Sequence, residues 1–134
     1  MNMDVPYGIT RRLPGTRFED ARARITEALR TEGFGVLTEI DVKATMKKKL
    51  DVDFRRYRIL GACNPPFAHQ ALTAEIDIGV MMPCNVVVYE GDDGATHVTA
   101  IDPGTTMGML GKPKLAELGK QVAAKLARAL EKLP

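Results

Sequence analysis

The chain has two cysteines, Cys63 and Cys84, and each is followed by an asparagine, Asn64 and Asn85. Cys63 also stands just before Asn64-Pro65-Pro66, where a helix is expected to begin. The unpaired N–H groups and dipole of a helix N-terminus stabilise a nearby thiolate. His69 falls in the second turn of that helix, and Asp102 closes an apolar run further along. If the segments around the cysteines are neighbouring antiparallel strands, the end of one meets the start of the other. Cys63, Asn64, Cys84, Asn85 and Asp102 would then share one edge of a sheet, with His69 leaning toward them. Such a cluster suits a redox thiol or a soft-metal site.

The plainer alternative is that both thiols are packed, because free cysteine behaves as a small apolar side chain. The twenty residues between Cys63 and Cys84 match no compact zinc motif, so no metal ligands are assigned. Asn64 reads as a helix cap and Asn85 as a hydrogen-bonding residue at a strand edge. His69 reads as a boundary residue, and His97 as a mid-strand residue without an acidic partner. Met81, Met82, Met107 and Met109 can line an adaptable apolar pocket or fill gaps in a core.

A second kind of chemistry is suggested by residues 43–58. Lys43, Lys47, Lys48, Lys49, Arg55, Arg56 and Arg58 stand there against Asp51 and Asp53. That excess of positive charge could hold nucleic acid, although Phe54 and Tyr57 are the only rings available for stacking. A solvated helix face explains the lysines equally well. No phosphate loop, nucleophile elbow, HExxH helix or EF-hand is present, so no catalytic residues are assigned and no cofactor is identified.

Elements must position these groups. The 134 residues suit one domain over 1–134, with 45% hydrophobic and 27% charged residues as in ordinary globular chains. A formal charge of +2 implies no polyanionic partner. The beginning of the chain has neither the basic nor the apolar part of a signal peptide, and no run of residues is long and apolar enough for a membrane span. With two cysteines, this leads to the expectation of free thiols in a reducing cytoplasm.

Residues 7–13 alternate as a first strand, with Tyr7, Ile9, Arg11 and Leu13 on one side. Thr16 and Glu19 have the spacing of a capping box for a helix that Gly33 ends. Phe34, Val36, Thr38 and Ile40 predict one face of a second strand. Asp41 caps a short helix, and Tyr57–Cys63 forms a third strand. Another short helix carries Phe67, Ala68, Ala71 and Leu72, and residues 77–83 are irregular. Cys84–Glu90 and Thr96–Ile101 make a hairpin around Gly91-Asp92-Asp93-Gly94. Residues 104–111 read as a loop before a long amphipathic helix with Leu115, Leu118, Val122, Leu126, Ala129 and Leu133 on one face. This alternation of elements suits a parallel α/β sheet, or equally an antiparallel sheet decorated by short helices.

The stretch from Gly33 to Pro65 resembles the bacterial domain-of-unknown-function 302 family. The likeness continues through Ala71-Leu72, Asp77-Ile78-Gly79, Met82 to Tyr89 and Ile101-Asp102-Pro103. The resemblance implies an α+β fold like one half of the TATA-binding protein. Its mainly antiparallel curved sheet has five strands, in the order strand, helix, four strands, helix, with two short inserted helices and a long C-terminal helix packed on the sheet. It also implies a homodimer, but no reaction, and fold analogy alone does not confer DNA binding.

Ile59-Leu60 and Val86-Val87-Val88 do not alternate, so both faces of the middle strands need cover. The inserted helices, a partner subunit or a ligand would have to supply it on the second face. The leading expectation is a non-catalytic cytoplasmic homodimer that binds a small ligand or a protein. The alternative is a thiol-dependent redox or soft-metal protein centred on Cys63 and Cys84. Nucleic-acid binding through Lys43 to Arg58 comes third.

Overall fold

The computed structural model of the chain describes residues 5–134. Its sheet has five strands, β1 (Gly8–Leu13), β2 (Gly35–Asp41), β3 (Tyr57–Cys63), β4 (Cys84–Glu90) and β5 (Thr96–Ile101). Their spatial order is β1-β5-β4-β3-β2. Every neighbouring pair is antiparallel, which settles the choice between parallel and antiparallel arrangements. The helices are α1 (Phe18–Thr31), α2 (Val42–Leu50), α3 (Pro65–Ala74), α4 (Pro103–Gly108) and α5 (Pro113–Glu131), with a 3₁₀ segment at Ile76–Met81.

Directly paired residues share a face and successive residues alternate. The register therefore aligns Ile9, Ala100, Val86 and Leu60 across four strands. All four are buried. Val88 and Val98 pair on the same face. Two helices cover it, α1 through Phe18, Ala21, Ile25, Ala28 and Leu29, and α5 through Val122, Leu126, Ala129 and Leu130. Those spacings of three and four put the apolar side chains of each helix on one stripe. Truncating a fully enclosed member such as Leu60 to alanine would cost about 2–5 kcal/mol.

Charged groups tie the helix ends together. Glu32, just after α1, accepts hydrogen bonds from Arg128 at 3.0 Å and Lys132 at 2.8 Å. Lys132 and Arg128 together hold its carboxyl below the usual glutamate range. From β1, the Arg11 guanidinium donates to the Leu130 carbonyl at 2.7 Å and to the Pro134 carbonyl at 3.0 Å. A cation there complements the negative end of the helix dipole.

Several local expectations are overturned. Thr16 and Glu19 form no capping box. Arg17 occupies the N-cap position without a side-chain cap bond, and Glu19 instead accepts from Arg22 at 2.9 Å. β2 is bulged between Val36 and Thr38, and one extra residue flips sidedness. Val36 consequently lies opposite Ala62 on the helix-covered face, while Thr38 and Ile40 lie opposite Gly61 and Ile59 on the other. The expected loop at 104–111 contains α4, whose start is set by Asp102 accepting from the Gly104 amide at 3.0 Å. Gly33 does end α1's excursion as expected, at φ 88°, with Phe34 donating back to the Leu29 carbonyl.

Candidate functional site

β3 ends at Cys63 and its antiparallel neighbour β4 begins at Cys84, with Ala62 directly opposite Cys84. Both thiols are free and half-buried. They line one cleft together with Asn64, Phe34, Phe67, Met82, Met107 and Val122, among others. Its volume is about 60 Å³.

The cleft exists because two hydrophobic clusters meet there without merging. Phe34, Ala62 and Val122 belong to the main core, which Cys84 packs against. Ala71, Ile78, Leu115 and Leu118 form a satellite cluster, which Met82 and Met107 pack against. Phe67 touches both clusters and bridges the seam. α4 closes one side by pressing on α5 at Gly119, where any Cβ would collide with the Pro103 carbonyl oxygen and the Met107 side chain. Only glycine permits that approach.

The environment of Cys84 is governed by desolvation. Burial, reinforced by the neighbouring Cys63, pushes its thiol up to about 11. Few thiolates exist at neutral pH in such a place, so Cys84 is a poor nucleophile on its own.

The remaining predicted site residues divide. Asn64 lines the cleft and is buried, yet makes no cap bond. Its side-chain amide instead donates to the Glu32 carbonyl at 3.1 Å, holding the chain after α1. Asp102 is occupied at the start of α4, accepting from the Gly104 amide and, at 2.9 Å, from the Thr105 hydroxyl. Two candidates lie elsewhere. His69 is exposed and does not line the cleft, because it sits on the outward side of α3. Asn85 is exposed and pairs with Gly61 on the opposite sheet face.

Met81, Met82 and Met107 line the cleft, whereas Met109 is exposed outside it. Phe34, Leu118 and Val122 are lining residues that motif reasoning passed over. Val122 and Leu118 lay on the predicted apolar stripe of the last helix, which gave no sign that part of it borders a cavity. Met107 had a clearer signal. Asp102-Pro103 is a cap followed by the proline favoured at a first helical position.

The uncovered face of the sheet is different in character. Ile40, Ile59, Val87, Thr99 and Thr10 align along it. Beside that row, Tyr57, Tyr89 and His97 stack across three strands, with centroids 5.3 Å and then 5.1 Å apart. His97 has an acidic partner after all, with Asp93 at 3.2 Å across the hairpin turn. Helix α2 buries none of its own side chains, and α3 packs against α5 and the 3₁₀ segment instead. Ile40 is left 48% exposed, so the inserted helices do not complete this face.

The basic stretch is largely neutralised internally. Lys47 pairs with Asp51, Arg55 with Asp92, Arg56 with Glu90, and Arg58 with Glu39 and Asp41. Lys43 donates to the Phe54 carbonyl. The Lys47 and Arg56 pairs are exposed, and Lys48 and Lys49 make no ion pair among the described residues.

Comparison with known proteins places this geometry in context. The family model described as "Domain of unknown function DUF302" matches residues 9–133. A solved structure, described as the crystal structure of uncharacterized conserved protein DUF302 from Bacillus stearothermophilus, is 30% identical. The match covers 97% of this chain and 100% of that one, with a TM-score of 0.88. No curated protein matches the sequence. Among the described residues, no helix is long and apolar enough to cross a membrane.

Proposed function

The chain belongs to the DUF302 family of domains of unknown function, and from that premise we propose that it is a non-catalytic binding protein, a homodimer that takes a small ligand in the cleft beside Cys84. The observation that carries this reading is the seam between two hydrophobic clusters, left open and walled mainly by apolar side chains. Ligand sites are typically largely preformed apolar recesses with few polar groups. Its polar lining is small and engaged, the Asn64 amide with the Glu32 carbonyl and the Thr106 hydroxyl with the Asp102 carbonyl. Burial suppresses the Cys84 thiolate and no histidine or carboxylate lines the recess beside it, so binding without turnover fits best.

Association is supported by the second sheet face, where Ile40, Ile59 and Val87 stand in a row without a covering helix. A second copy would remove this apolar surface from water, and two-fold pairing of identical patches is the commonest form of protein assembly. We place the protein in the reducing cytoplasm, where both thiols stay free.

Two measurements test this reading. An apolar fluorescent probe should bind the native protein and lose affinity at least about tenfold in Ala68→Phe, which fills the cleft from α3. Unchanged probe binding in that variant would count against the cleft. Sedimentation should show a dimer at micromolar concentration and a monomer for Ile40→Lys, whose exposed position spares the fold. A wild-type protein that sediments as a monomer would remove the dimer.

A further inference from the structure

The sulfur content of the cleft is unusual for so small a space. Cys63, Met81, Met82, Cys84 and Met107 all line it, out of two cysteines and seven methionines in the chain. They arrive from separate elements, the end of β3, the 3₁₀ segment and its exit, the start of β4, and α4. We propose that the cleft is a soft-metal site for a single copper(I)-class cation, held by the Cys84 thiolate and the thioethers of Met82 and Met107, with Cys63 at its entrance. This rests on reading the cleft as a ligand site and names the class of ligand.

Three observations select that class. The first is size. A dry cavity of about 150 Å³ admits benzene whole, whereas about 60 Å³ takes an ion whole and only the edge of a larger apolar molecule. The second is donor type. Thiolate and thioether sulfur select soft ions, while carboxylates and carbonyls select hard ones. Among the described residues, no three of His, Cys, Asp or Glu gather in one place, so the usual set for zinc is not assembled. Among the described residues no carboxylate lines the cleft, and Asp102 is bound to the first turn of α4.

The third is charge. One thiolate and one monovalent cation form a neutral pair, which an apolar recess accommodates. A divalent ion on the same ligands would leave an uncompensated buried charge. Binding exchanges the Cys84 S–H bond for a sulfur–metal bond, and the proton leaves to solvent. No oxidant or reductant is required. Methionine is also suited to the task mechanically, because its flexible side chain can swing to meet an arriving ion.

The test is anaerobic titration of the whole protein with copper(I), in competition with a chromogenic copper(I) chelator. One equivalent should bind. The double variant Met82→Leu, Met107→Leu keeps volume and apolarity, so it should fold. It should nonetheless bind at least about tenfold more weakly, since even loss of an outer-shell partner costs that much in metal affinity. Cys84→Ser should lose the ion entirely. Equal affinity in the double variant and the wild type would show that the methionines only fill space, and would overturn the proposed ligand set. If copper(I) fails to bind while Ala68→Phe still excludes the apolar probe, the metal assignment falls and the cleft remains a ligand site. If the probe also fails, both fall together.

Discussion

The ribbon of β3 and β4 has two unlike ends. At one, Cys63 and Cys84 border a cleft of thiols, thioethers and hydrocarbon. At the other, Tyr57 and Tyr89 stack in a ladder that continues to His97, and Arg12 binds Asp93 at 2.6 Å. The hairpin end completes its own interactions, each ring finding a ring and each charge a counter-charge. The cleft end leaves space and keeps charge out. Satisfied polar networks specify structure, whereas incompletely packed seams leave room for something else. The contrast separates an end whose charged and aromatic groups are satisfied from the end that holds the proposed binding cleft.

The largest expected effect comes from forcing charge into the wrong end. Cys84→Asp would place a carboxylate where desolvation already suppresses thiol ionisation, and should destabilise by about 3 kcal/mol at pH 7. Its folded-state pKa would be raised, so the deficit should shrink as pH falls and the carboxyl becomes neutral. Urea unfolding at pH 7 and pH 5 measures both. A variant as stable as wild type would show that the cleft end is as wet as the hairpin end.

A kinetic experiment sharpens the same contrast. Moving the Cys84 thiol from 9.0 to about 11 lowers its thiolate fraction about a hundredfold at pH 8. Alkylation of Cys84 in the folded protein, followed by peptide mass analysis, should be slower by about that factor than in urea. Comparable rates would mean that the thiol is neither buried nor suppressed.

At the hairpin end, Tyr89→Ala removes the ring between Tyr57 and His97. The lost burial and two stacking contacts should together cost about 2 kcal/mol. Urea unfolding checks the value. A loss near zero would make the ladder ornamental and weaken the contrast between the two ends.

How much of this contrast was legible in the sequence depends on the range of the forces involved. Strand and helix periods are local, so β3, β4, β5 and the stripe of α5 could be read from apolar spacing. The juxtaposition of Cys63 and Cys84 followed once those strands were taken as antiparallel neighbours. The bulge at Val36 to Thr38 could not be read, because a one-residue slip is decided by what the strand packs against. Thr16 and Glu19 had the right spacing for a cap, but Arg22 engages Glu19 and the Thr16 carbonyl accepts from the Thr96 hydroxyl at 2.7 Å. Asn64 likewise looked like a cap, and its amide went to Glu32 across thirty-two residues. His97 lacked an acid in its own strand, but the turn returned Asp93 to it. The cleft itself is a failure of two clusters to fuse, and no single stretch of chain encodes that.

The smallest effect, and the one that separates the two ends by sign, concerns Asp93. Hydrogen bonds from Arg12, then from the Ala95 amide, and contact with His97 hold its carboxyl well below the ordinary value of 3.8. A depressed folded-state pKa contributes stability above the unfolded value, and that contribution is lost as pH falls below 3.8 toward the folded one. Asp93→Asn keeps the shape and removes the charge. The variant should therefore be less stable at pH 7, approach wild type as pH falls below 3.8, and show a shallower loss of stability on the way. Cys84→Asp should instead regain ground on acidification, because its carboxylate is disfavoured by folding rather than favoured. Urea midpoints from pH 7 to pH 2 for both variants give two curves with opposite trends relative to wild type. Parallel curves would mean that the environments of the two carboxylates do not differ, and the division of the ribbon into a charged end and an apolar end would fail.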